Sequence, residues 1–173
     1  MPSLGIVLLC VCAAVFYGIV HDQVTARICL EYFTIGHPRL IASDSPTVLA
    51  FFWGIVATWW VGLPLGIVLA FAARAGRLPK LGPQELVRHV LKLLLVMLLI
   101  AFIAGVLGFV ASNAGLLHLR GPLGHQVPPE KHIAFLVDAS AHSASYLAGF
   151  VGGTILCVTT WRRRAKTAIS SRD

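Results

Sequence analysis

Apolar residues gather into four long runs, at 4–20, 46–73, 93–111 and 139–161, separated by short polar stretches. A helix rising ~1.5 Å per residue crosses a ~30 Å hydrocarbon core in about 20 residues, so each run is a candidate span. The pattern predicts an all-α, polytopic membrane four-helix bundle. It forms a single membrane domain over residues 1–173, with helices at about 4–35, 46–73, 84–112 and 129–163.

Local signals set the ends of these helices. Ser45 before Pro46 suits an N-cap followed by proline at the first helical position. Pro83 opens the third helix. Pro128 or Pro129 opens the fourth, with Glu130 in the first turn, where the helix dipole favours an acid. The first run has no positive residue before it and no small-x-small cleavage site after it, so it is read as a retained helix. Residues 22–32 contain no Gly or Pro, so this helix is expected to pass beyond the outer surface and stop at Gly36, His37 and Pro38. The excess of about three turns must project outward or bend onto the bundle. Pro64 deprives the Trp60 carbonyl of its donor, which predicts a kink near Trp59 and Trp60. Gly121, Pro122, Gly124 and Pro128 read as a loop. Small residues four apart, such as Gly62 and Gly66, Ala101 and Gly105, Ala104 and Gly108, and Gly149 and Gly153, suit close helix contacts in lipid.

Composition agrees with a membrane protein: 57% hydrophobic and 12% charged residues, with a mean hydropathy of +0.82. Of the fourteen Lys and Arg residues, ten lie between the second and third runs or in the tail: Arg74, Arg77, Lys80, Arg88, Lys92, Arg162, Arg163, Arg164, Lys166 and Arg172. Positive charge marks the cytoplasmic side, so both termini are expected there. The net charge of +7 then serves topology and contact with anionic lipid headgroups rather than nucleic acid. The four cysteines give no disulfide framework.

The opposite side collects His21, His37, His118, His125, His132 and His142 with Asp22, Glu31, Asp44, Glu130 and Asp138. Counting helical rise from the cytoplasmic ends puts His21, Asp22 and His142 at nearly one level, with Asp138 one turn above His142 and Asn113 nearby. The candidate ligands are therefore His21, Asp22, Glu31, His37, Asp138 and His142, supported by Asn113, His132 and Tyr146. Imidazole with carboxylate suits a divalent transition metal, namely zinc, iron, manganese or copper. Adjacent His21 and Asp22 point about 100° apart, so sharing one ion is expected to need backbone adjustment. Glu31 and His37 join only if the chain folds back over the bundle mouth. No HExxH, HxxxH or CxxC motif is present.

The segment from His21-Asp22-Gln23 through Thr25, Arg27 and Glu31-Tyr32-Phe33-Thr34 to His37-Pro38 resembles a block in uncharacterised bacterial multi-spanning membrane proteins. The resemblance implies a bacterial inner membrane and carries no activity. Two readings follow. One is a metal site that serves hydrolytic or redox chemistry on a lipid-like or membrane-proximal substrate. The other is a non-catalytic accessory or structural subunit, pH-responsive through its histidines, with a membrane-protein partner or a second copy of the chain.

Overall fold

The computed structural model describes residues 1–170; Arg172, counted above with the basic tail, lies outside the described residues. Among the described residues all regular structure is helical: α1 (Pro2–Ile28), α2 (Leu30–Thr34), α3 (Pro46–Val56), α4 (Trp59–Arg74), α5 (Pro83–Asn113), α6 (Gly121–Gln126) and α7 (His132–Ser170), the last preceded by a 3-10 turn at Pro129–Lys131. Four stretches, Pro2–Ile28, Pro46–Arg74, Pro83–Asn113 and Pro129–Ile169, are long and apolar enough to cross a membrane. Leu8, Phe16, Phe51, Phe102 and Phe150 all face outward, as lipid-facing side chains do.

Most of the expected helix starts hold. Ser45 Oγ accepts from the Val48 amide at 3.5 Å, and the Glu85 carboxylate accepts from the Gly82 amide at 2.6 Å ahead of α5. α1 packs along α3 and α4, α5 packs along α7, and the two pairs join mainly through α4 with α7 and α1 with α5. The small residues sit in these seams. A Cβ on Gly62 would lie 2.8 Å from the Cys10 carbonyl oxygen, and one on Gly54 would lie 2.5 Å from the Ile19 amide nitrogen. Only glycine lets these backbones approach so closely.

Three expectations are corrected. The first helix is not continuous to residue 35, because Cys29 adopts an extended conformation (φ −143°, ψ 100°) that ends α1 and starts α2. No local breaker is needed: Cys29 is fully buried and packs with Val127 and Phe135, so tertiary contact overrides helix propensity. The bend turns α2 over the bundle instead of projecting it. Next, the interruption of the second span falls at Ala57 and Thr58, just before the Trp pair. There the Thr58 hydroxyl donates to the Gly54 carbonyl, while Pro64 continues inside α4. Finally, the stretch expected as a loop at 121–124 forms the short α6.

Arg164 also departs from its expected place among solvated tail charges. It is only 1% exposed. Its Nε donates to the Pro79 carbonyl at 2.7 Å and Nη1 to Ala72 at 2.6 Å, while Nη2 donates to Ala75 at 2.8 Å and Leu78 at 3.2 Å. It therefore serves carbonyls that the end of α4 leaves without helical partners, at Ala72 and Ala75, together with two in the loop that follows, at Leu78 and Pro79.

Candidate metal centre

At the end of the bundle opposite Arg164, α1 and α7 face each other with polar groups at four-residue spacing. Tyr17, His21 and Thr25 share one face of α1, and Asp138, His142 and Tyr146 share one face of α7. Tyr17 Oη and Ser145 Oγ lie 2.7 Å apart and tie the two helices a turn below the histidines. His21, Asp22 and His142 are all buried, and each offers one ligand atom within 4.8 Å of the others. His142 Nε2 lies 3.9 Å from Asp22 Oδ1 and 3.2 Å from Thr25 Oγ1. The His21 and His142 rings meet edge to face at 4.5 Å between centroids.

This arrangement overturns the expected conflict between His21 and Asp22. α1 stays helical through both residues, and convergence comes from the opposing helix, which brings His142 up to both. Bonds of about 2.0–2.2 Å around a tetrahedral ion hold ligand atoms roughly 3.4 Å apart. Contraction by up to about 1.4 Å, through side-chain rotation, would close the set. His21 Nε2 is buried without a hydrogen-bond partner, so one nitrogen of that ring is free of competing bonds.

The bend at Cys29 supplies the roof. Tyr32 stacks on His142 at 4.6 Å and Phe33 meets the same ring at 5.8 Å. His37 folds back as the bend requires: its Nδ1 donates to the Tyr32 carbonyl at 2.8 Å, and its ring lies 4.6 Å from that of Trp53. With Nδ1–H so engaged, Nε2 keeps its lone pair. His37, His21, Asp22 and His142 line a common cavity of about 60 Å³. That volume accommodates an ion with one or two waters, each filling about 30 Å³ in the liquid. Outside the spans, burial raises the Tyr32 phenol and pushes the Cys29 thiol up to about 12. Both stay protonated at neutral pH and act as packing and hydrogen-bonding groups.

The remaining candidates lie elsewhere. Glu31 is drawn to the start of α7: Lys131 Nζ stands 3.8 Å from it, and the Cys29 thiol donates to it at 3.5 Å. Asp138 is fully buried one turn from His142, but it lines a different and larger cavity together with His21. His132 Nε2 donates to the Val127 carbonyl at 2.9 Å, and Asn113 donates to Phe109 within its own helix at 2.9 Å. Tyr146 donates to the Ala57 carbonyl at 3.4 Å and lines the small cavity. Thr25, Tyr32, Trp53 and Tyr17 were not anticipated at the site. The four-residue spacing of Tyr17, His21 and Thr25 within an apolar run was the available signal for two of them.

Comparison of the chain with protein-family models, with curated proteins and with solved structures finds no match.

Proposed function

We propose that this membrane protein binds a divalent transition metal through His21, Asp22 and His142, with His37 closing the site from above. The observation that supports this most is the convergence of three buried ligand atoms within 4.8 Å, with one nitrogen of the His21 ring otherwise unpartnered. Two imidazoles and one carboxylate, with a further position open, are the donor set of catalytic zinc sites and of non-haem iron sites. Manganese and copper accept the same donors less selectively. A metal held there would supply a Lewis acid and a lowered pKa for bound water, which suits work on a lipid-like or membrane-proximal substrate. The chain's own part is to hold the imidazoles in place. Thr25 braces His142, and Tyr32 and Phe33 cover the ring against water.

The charge distribution supports placing both termini in the cytoplasm and the site at the outer face of a bacterial inner membrane. Exposed Arg162, Arg163 and Lys166 then meet anionic headgroups. A second reading has its own observation: His142, His132 and His37 already bond Thr25, Val127 and Tyr32. Such bonds suit a non-catalytic subunit in which histidines tie helices and loops together, ready to pair with another membrane protein or a second copy.

Elemental mass spectrometry separates the two readings. The untagged protein, purified in mild detergent after supplementation, is expected to carry near-stoichiometric metal, and the His21→Ala/His142→Ala double variant none. Equal metal-free samples would favour the structural reading.

A further inference from the structure

A second cavity, of about 550 Å³, lies between α1, α5 and α7. Its walls are apolar, with Val24, Leu98, Phe102, Val106, Ile133 and Val137 among them. Val24, Phe102, Val106 and Ile133 are also exposed on the faces that would meet lipid. The groove therefore opens sideways into the bilayer, and its volume falls within the roughly 300–1,000 Å³ of small-molecule sites. An apolar crevice alone would be a packing fault filled by any acyl chain. This one contains Asp138, 0% exposed, whose oxygens make no hydrogen bond of good geometry: the Cys29 amide turned toward them is engaged with the Thr25 carbonyl at 3.0 Å. His21 lines the same wall and has an unpartnered Nε2, and exposed Glu130 stands at the rim.

Buried polar atoms are almost always partnered, and two such groups in one cavity call for a ligand that brings the partners. The ligand must be apolar along most of its length, since it enters from the bilayer, and it must donate at one end to a carboxylate. A fatty acid or anionic phospholipid would have to bring its negative charge past exposed Glu130 at the rim. A choline headgroup has no N–H to give. A hydroxyl donates its one hydrogen to Asp138, and in the metal-free protein its lone pairs can also accept from His21 when Nε2 carries the hydrogen. We propose that the groove between α1, α5 and α7 is a binding site for a single-chain lipid with a hydroxyl headgroup, of the monoacylglycerol class, with the headgroup at Asp138. His21 lines both cavities, so the headgroup would lie beside the metal centre. The lipid site itself does not require a metal.

The test uses the full chain in phosphatidylcholine nanodiscs and a monoacylglycerol with a diazirine in its acyl chain, with labelled peptides mapped by mass spectrometry. Labelling is expected to concentrate on α5 and α7 along the groove, and to be competed by unmodified monoacylglycerol but not by oleate. Gly105→Phe should abolish it, because a Cβ there meets only ordinary contacts at 3.7 Å or more, leaving a larger side chain to fill the groove. Asp138→Leu should weaken it about tenfold, the value of one hydrogen bond. Should Gly105→Phe fail to fold, as judged by its melting curve, Asp138→Leu decides alone. Stripping metal from the parent with a chelator, which changes no residue of the groove, should leave labelling unchanged. Labelling spread over all lipid-facing helices, competition by oleate as strong as by monoacylglycerol, or indifference to Asp138→Leu would each overturn the proposal.

Discussion

The two ends of the bundle differ in how they meet a fully enclosed ionisable side chain. Near the end of α4, Arg164 is enclosed almost completely, and its donors all reach backbone carbonyls of 72–79. Near the top of α1 and α7, Asp138 is enclosed just as completely, yet its oxygens have no partner, and neither does His21 Nε2. Burying an unpaired polar group costs free energy; at the first end His89 Nδ1 is one such atom, whereas at the second His21 Nε2 and both Asp138 oxygens lie along one cavity. Satisfied burial is a structural device. Unsatisfied burial gathered in one place, as for Asp138 and His21, is the ground on which the two sites are proposed at the histidine end.

The contrast is broken most directly at Arg164. Arg164→Met keeps apolar bulk and orphans the carbonyls of Ala72, Ala75, Leu78 and Pro79. At about 1–3 kcal/mol for each unsatisfied buried group, with relaxation and water recovering part, a loss of about 3–5 kcal/mol is expected. Unfolding in mixed micelles measures it. A loss below about 1 kcal/mol would show that this end is wet and that its hydrogen bonds are dispensable.

Metal sharpens the comparison from the other side. A ligand at 100 times its dissociation constant stabilises the folded state by about 2.7 kcal/mol. Zinc or ferrous iron added to the parent should raise the melting temperature accordingly, and His142→Ala should not respond. An equal response in both would place the bound ion elsewhere.

Replacing Asp138 should change stability in the opposite sense to replacing Arg164. Asp138→Leu removes an unpartnered buried carboxyl, and in lipid-poor detergent it is expected to stabilise by about 1–3 kcal/mol. Asp138→Asn, still polar and still unpaired, should gain little. A destabilising Asp138→Leu would mean that the carboxyl is already satisfied within the chain.

The spans were legible because apolar length is a coarse property that no tertiary contact alters. The starts at Pro46 and Pro83 were legible because proline and the capping residues act locally. The bend at Cys29 was not, since the sequence there reads as good helix and the cause is packing against Val127 and Phe135, a hundred residues away. The same bend explains the mixed reading of the site. It carries His37 to the cavity and leaves Glu31 on the side of Lys131. Depth counting aligned His21, Asp22 and His142 correctly, because rise per residue is fixed. It could not tell that Asp138, one turn along the same face from His142, lines the other cavity, because that cavity is shaped by the side chains that α5 presents. Arg164 was hidden by its neighbours: in a run of three arginines, only the fold distinguishes the one that turns inward.

The smallest effect at neutral pH concerns Cys29, and it asks whether the unpartnered atoms lie in dry protein or merely face water. Burial pushes the thiol up to about 12 from an ordinary 9.0. At pH 8 the folded protein should then present about a thousandfold less thiolate than the unfolded chain, and alkylation by iodoacetamide should be slowed to match. The linkage has a definite sign. Below pH 9 both states hold the proton and stability does not vary; between 9 and about 12 the unfolded chain ionises while the folded one does not, so this contribution is lost as pH rises. Measuring alkylation in the native protein and after denaturation, across pH 7 to 10, reads the shift without relying on stability. Rapid alkylation of native Cys29 at pH 8 would show water reaching the α1–α2 bend. Asp138 and His21 would then have solvent for partners, and the difference between the two ends would be one of hydration instead of ligand binding.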